Sequence, residues 1–140
     1  MLDTNTLFWY FVENSRNHKK VKKFLNPLIL TKDSTFIVNE IIMLELFHIL
    51  VKKRGKKGIK IAMDLLENEA SPIKIHFDCL KHSDLREVLT HLTRYGMETT
   101  IGGRDSTIIK SCVNHKIDYL ITNDKGFKQV KEINLLNPLK

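Results

Sequence analysis

Short apolar runs, set between stretches of helical periodicity, constrain the fold of this chain more than any other feature. Phe36-Ile37-Val38, Ile73–Phe77 and Tyr119-Leu120-Ile121 each read as a short buried strand, and Ile133–Leu136 as a last one. Met1–Asp3 has room only for a stub of strand, and Asn5 through Val12 begins a helix. Val21, Phe24, Leu25 and Leu28 form a helical stripe that Pro27 should end near Asn26. Asn39 is placed to cap a helix running to about Lys53, which Gly55 and Gly58 should break. Ile59, Ala62, Met63 and Leu66 mark the next helix, and Pro72 precedes the second strand. Leu85, Val88, Leu89 and Leu92 make a stripe ending at Gly96. Gly102-Gly103 opens a helix through Ile108, Ile109, Cys112 and Val113, and a turn follows the third strand at Asn123–Gly126. Strands alternating with helices imply an α/β fold with a parallel sheet and helices on both faces. With 140 residues and no repeat or low-complexity linker, one domain spanning 1–140 is expected.

In such sheets ligands bind outside the carboxyl ends of the strands. Asp3 and Asp124 fall at strand ends, and Glu45 and Asp105 lie on helices that could lean over the same edge. Each acid also has an ordinary structural reading. Asp3 and Asp105 suit helix caps, Asp124 suits a turn before Gly126, and Glu45 with His48 and Lys52 forms a polar helix stripe. Asp105 lies three, four and seven residues before Ile108, Ile109 and Cys112, which puts it on the buried face of its helix. Glu40 occupies a first helical turn, where acids are favoured anyway, and reads as structural. Glu45-x-x-His48 has the spacing of a di-iron ligand pair but lacks the second copy that such a site needs.

These acids sit in a basic chain. Lys and Arg number 23 against 16 Asp and Glu, a net charge of +7, which favours polyanionic partners and nucleic acid first among them. Arg16, Lys19, Lys20, Lys22 and Lys23 form one basic cluster. Lys52, Lys53, Arg54, Lys56, Lys57 and Lys60, around two glycines, form a second and are the better candidates for an RNA backbone. Arg104, beside Asp105, can meet a phosphate or neutralise the acids. Phe8-Trp9-Tyr10-Phe11 divides between core and interface, with base stacking the alternative. His18, His76, His82, His91 and His115 show no ligand spacing, and Cys79 and Cys112 read as two reduced thiols. No signal peptide or membrane span is expected: Leu7–Val12 is too short to cross a bilayer and Glu45 interrupts Ile41–Val51. A cytoplasmic protein is the expectation.

Taken in order, Leu2-Asp3-Thr4-Asn5, Leu44-Glu45-Leu46, Gly103-Arg104-Asp105-Ser106-Thr107-Ile108-Ile109 and Ile121-Thr122-Asn123-Asp124 together resemble the PIN-domain family, over nearly the whole chain. The size resembles VapC-type toxins and related small prokaryotic PIN proteins. The resemblance implies a three-layer α/β/α fold with a central, mostly parallel sheet, acting as a Mg²⁺- or Mn²⁺-dependent ribonuclease. Asp3, Glu45, Asp105 and Asp124 match the family's acidic quartet as catalytic and metal-holding residues, with Thr122, Asn123 and Asn5 as supporting groups. Some members carry a further acid where Lys125, Gly126 and Phe127 stand here, which leaves one metal or two open. Mg²⁺ prefers oxygen ligands and keeps several waters, so a few carboxylates plus substrate phosphate suffice. The resemblance also implies an antitoxin partner docking near the first helices, and by family analogy a homodimer. The role implied is a toxin of a toxin–antitoxin pair. An RNA-processing nuclease or a catalytically idle PIN fold that binds RNA or protein are the alternatives.

Overall fold

The computed structural model describes residues 1–31, 34–67 and 73–140; the expected Pro72 boundary lies outside them. Helices α1 (Thr4–Phe11) and α2 (His18–Leu30) precede β1 (Phe36–Asn39), α3 (Glu40–Arg54) and α4 (Lys56–Glu67). Next come β2 (Ile75–Asp78), α5 (Leu85–Gly96), α6 (Gly103–Asn114), β3 (Leu120–Ile121) and β4 (Leu135–Leu136). Short 3₁₀ turns occupy His82–Asp84 and Gly126–Gln129.

β1 pairs with β2 and β3 with β4, both in parallel. The N-terminal stub joins the two pairs. Leu2 N donates to Ile37 O (3.1 Å), while Asp3 N donates to Ile121 O (3.2 Å) and Ile121 N to Met1 O (2.9 Å). The stub is therefore firmly held. Leu2 is fully buried, worth about 1.5–3 kcal/mol for a side chain of this kind. Every residue of β1 is buried, as expected for a strand covered on both faces. α3 packs on β1 with α1 and α4 beside it; α6 also reaches β1 and carries α5. The architecture is the expected α/β layering with parallel strands.

Four local expectations are revised. The second strand runs Ile75–Asp78, two residues later than the sequence suggests, with Ile73 buried ahead of it. Pro27 does not end α2, which continues to Leu30. The hydrogen bond it removes would have gone to the carbonyl of Lys23, on an exposed flank where water can replace it. Gly55, at φ +53°, does end α3. Gly58 does not break a helix but lies buried inside α4, where a Cβ would sit 2.1 Å from Leu50 O. That close approach sets the face of α4. It buries Gly58, Ala62 and Leu65 and leaves Ile59, Met63 and Leu66 about half exposed, so the expected stripe faces outward in part.

Candidate active site

Asp3 ends the stub and starts α1. Its Oδ1 accepts from Thr4 N (2.7 Å), so the helix-cap reading holds. Its Oδ2 accepts from the Thr122 hydroxyl (2.8 Å), tying the stub's end to the end of β3. Two hydrogen bonds favour the ionised form, yet burial outweighs them and pushes the Asp3 carboxyl above its ordinary value. The nearby Glu45 charge adds to the rise and Arg104 opposes it.

Glu45 reaches this site because Asn39 starts α3 at the end of β1. The Asn39 Oδ1 accepts from Ile42 N (2.9 Å), fixing where the helix begins. One face of α3 then buries Ile42, Met43, Leu46 and Leu50, and Glu45 lies at its border. Its Oε2 accepts from the Thr4 hydroxyl (2.6 Å) and its Oε1 from Arg104 Nη1.

Asp105 sits in the first turn of α6 and is buried, as its spacing predicted. Its Oδ2 accepts from Gly102 N (3.0 Å), another capping bond. Its Oδ1 faces Arg104, with Nη2 at 3.3 Å and Nε at 3.4 Å. Arg104 thus bridges Glu45 and Asp105, with Asp3 close enough to feel its charge.

The fourth acid is connected more loosely. Asp124 is exposed, and its Oδ1 accepts from Gly126 N (2.8 Å), the turn expected of it. Its link to the cluster is through Thr122, whose hydroxyl oxygen accepts from Asp124 N (3.0 Å) while donating to Asp3. Asn123 has a buried side-chain oxygen without a hydrogen-bond partner. Asn5 is exposed on α1 and makes none of these contacts.

Among the described residues, no three His, Cys, Asp or Glu side chains are close enough to enclose an ion. The cluster is thus no closed cage, but its donor set suits a hard cation. All its ligands would be oxygens, and Mg²⁺ binds through one or two carboxylates when phosphate and water complete its shell. The acids have already drawn a cation, the Arg104 guanidinium, into their midst.

A family model of the PIN domain matches residues 1–133. This chain belongs to the PIN-domain family. Solved structures agree on the fold. VapBC2 from Rickettsia felis bound to a promoter DNA fragment superimposes with a TM-score of 0.74 at 19% identity, covering 98% of this chain and 96% of that one. VapC20 of Mycobacterium tuberculosis, described as a sarcin-ricin loop cleaving toxin, gives 0.73 at 14% identity, covering 95% and 97%. A toxin–antitoxin complex from Klebsiella pneumoniae gives 0.67 at 16% identity, covering 98% and 95%. No curated protein sequence matches the chain.

Elsewhere in this PIN domain, the other residues singled out from the sequence take varied places. Lys52, Lys53, Lys56, Lys57 and Lys60 are exposed at the end of α3 and the start of α4, with Arg54 half-buried among them. Lys53 Nζ lies 5.2 Å from the centre of the Phe8 ring. Tyr10 is core, while Phe8, Trp9 and Phe11 are partly buried against it. Both cysteines are free, and burial pushes the Cys112 thiol up to about 12, so it is inert. No described helix is long and apolar enough to cross a membrane.

Two features escape sequence reasoning. One is the bond from the Thr4 hydroxyl to Glu45, although Thr4 stands inside the Asp-Thr-Asn motif. The second is a polar cluster along α6. Lys110, 4% exposed, bonds Asp84 (2.7 Å), and Asp78 takes Ser111 (2.6 Å) and His115 (2.9 Å). In the sequence His115 reads as an ordinary packed or surface residue, and only the fold brings Asp78 to it.

Proposed function

We propose that this PIN domain is a divalent-metal-dependent endoribonuclease, acting as the toxin of a toxin–antitoxin pair. The observation that carries the reading is Arg104 bridging Glu45 and Asp105, with Asp3 near enough to feel the charges of Arg104 and Glu45. Three acids from three separate elements converge there although burial raises the Asp3 carboxyl, a cost that a stable fold alone does not require.

Mg²⁺ or Mn²⁺ held by Asp3, Glu45, Asp105 and Asp124 would supply a water of lowered pKa and neutralise charge on the scissile phosphate. The chain's own residues do the rest. Thr4 and Thr122 fix Glu45 and Asp3 by hydrogen bonds, so the carboxylates do not turn away from one another. Arg104, beside them and half exposed, contacts the phosphate backbone. Thr122 holds the segment that presents Asp124, and Asn123 lies between them in the chain as a further supporting group. Lys52, Lys53 and Arg54 end α3, with Lys53 about 12 Å along it from Glu45 since eight residues separate them, and Lys56 and Lys57 at the start of α4 continue the positive surface. A basic track of this kind binds the RNA backbone with strong salt dependence.

The likeness to VapBC2 and to the Klebsiella complex supports an antitoxin protein as partner, and the partly exposed aromatics of α1 offer it a surface. A homodimer belongs to the same proposal. The test is cleavage of a fluorescent single-stranded RNA with Mn²⁺, with Mg²⁺ and with EDTA, beside Asp105→Asn. Metal-dependent cleavage that the variant loses supports the reading. RNA binding without cleavage in any metal moves the assignment to an idle PIN fold.

A further inference from the structure

Every oxygen of the three converging carboxylates already has a hydrogen-bond donor. Four of the six serve the fold: Asp3 Oδ1 caps α1, Asp3 Oδ2 holds Thr122, Glu45 Oε2 holds Thr4, and Asp105 Oδ2 holds Gly102 N. The remaining two, Glu45 Oε1 and Asp105 Oδ1, are both taken by Arg104. They are the two whose only donor in the cluster is a half-exposed guanidinium and not a cap or a strand-end tie.

The guanidinium is built to leave. Its side chain is 46% exposed, whereas the Asp105 side chain is 12% exposed, so it enters the cluster from the solvent side. Ion pairs this open to water are weak. Lys110 on the same helix shows the alternative, a cation sunk to 4% exposure against Asp84.

We propose that Arg104 is the site's internal counter-ion: it holds the acids together without metal, a divalent ion must displace it to bind, and the displaced guanidinium is then free for substrate phosphate. This rests on reading the cluster as a metal site. It makes metal loading and phosphate capture successive states of one side chain.

The test uses the full chain stripped with EDTA, as wild type, Arg104→Gln and Arg104→Lys. Free Mn²⁺ is followed by electron paramagnetic resonance during titration, and thermal unfolding is followed in EDTA and in Mn²⁺. Arg104→Gln should bind Mn²⁺ about tenfold more tightly, the scale of removing two weak competing bridges. It should unfold at a lower temperature than wild type in EDTA, with Mn²⁺ closing the gap. Arg104→Lys, with charge but no fork, should fall between and serves if the Gln variant does not fold. With RNA, Arg104→Gln should need less Mn²⁺ but show a raised KM. Equal Mn²⁺ affinities in wild type and variant, or weaker binding by the variant, overturn the proposal while leaving the metal site standing. Mn²⁺ binding by neither protein overturns both.

Discussion

At its two ends, helix α6 handles buried charge in opposite ways. Toward the C-terminus, Lys110 meets Asp84, and Asp78 is bonded by Ser111 and His115. Burial works to raise the Asp78 carboxyl, but its partners Ser111, His115 and Lys110 together prevail and hold it below its ordinary value. At the N-terminus, Asp3 also has two good hydrogen bonds, yet burial prevails and raises it. The difference lies in the company. Asp78 faces Lys110 and the donors Ser111 and His115, whereas Asp3 faces Glu45, with one half-exposed Arg104 shared among three acids. A satisfied network stabilises the fold. An under-compensated one costs stability and is where an added cation would bind.

The sharpest way to break this contrast is Asp105→Asn. Cleavage of RNA should fall at least about 100-fold, the scale of losing several kcal/mol of charge stabilisation at the phosphate, while thermal unfolding stays near wild type. A variant that unfolds before it loses activity would make Asp105 structural, like its counterparts down the helix.

Next in size is Asn39→Ala, on the satisfied side. Asn39 is 3% exposed, caps α3, and donates to Thr107 (3.2 Å) and Ser111 (3.4 Å) on α6. Urea unfolding should show a loss of about 2 kcal/mol.

The pH dependence of stability should carry opposite signs for the two acids. The metal-free fold binds a proton on Asp3 more tightly than the unfolded chain does, so stability falls as pH rises from the ordinary Asp value through the raised one. Asp78 contributes stability that is present above the ordinary value and lost as pH falls through its lowered one. Urea midpoints across pH should lose the first slope in Asp3→Asn and the second in Asp78→Asn. Matching slopes would erase the contrast.

The smallest effect concerns the basic track. Lys56→Ala with Lys57→Ala should weaken RNA binding and leave cleavage at saturating RNA intact. The salt dependence of log K should shrink by roughly 0.7 for each phosphate that the two lysines no longer neutralise.

Much of this is legible in the sequence, for reasons that particular residues show. Asn39 announces α3 because a capping side chain and an apolar stripe both mark the same boundary. Asp105 belongs on the buried face because its spacing to Ile108, Ile109 and Cys112 fixes it. Gly58 reads as a breaker because glycine looks the same whether it ends a helix or lets another backbone approach; only the Leu50 carbonyl decides. Pro27 reads as a stop because sequence does not say that the missing hydrogen bond faces water. At the site, order along the chain points to the four acids as candidates. It does not reveal which oxygens the fold already uses, nor that Asp78 crosses to His115, since both depend on contacts between distant segments.

The central claim, that the acids at the N-terminus of α6 carry more negative charge than the fold compensates and that a cation completes them, has a direct measurement. Thermal unfolding of wild type and Asp3→Asn at neutral pH, with and without Mn²⁺, reads both halves at once. The account predicts that Asp3→Asn melts higher than wild type without metal, having shed a buried charge, and that Mn²⁺ raises only the wild-type midpoint. A variant that melts lower than wild type, with both proteins shifted equally by Mn²⁺, would contradict it.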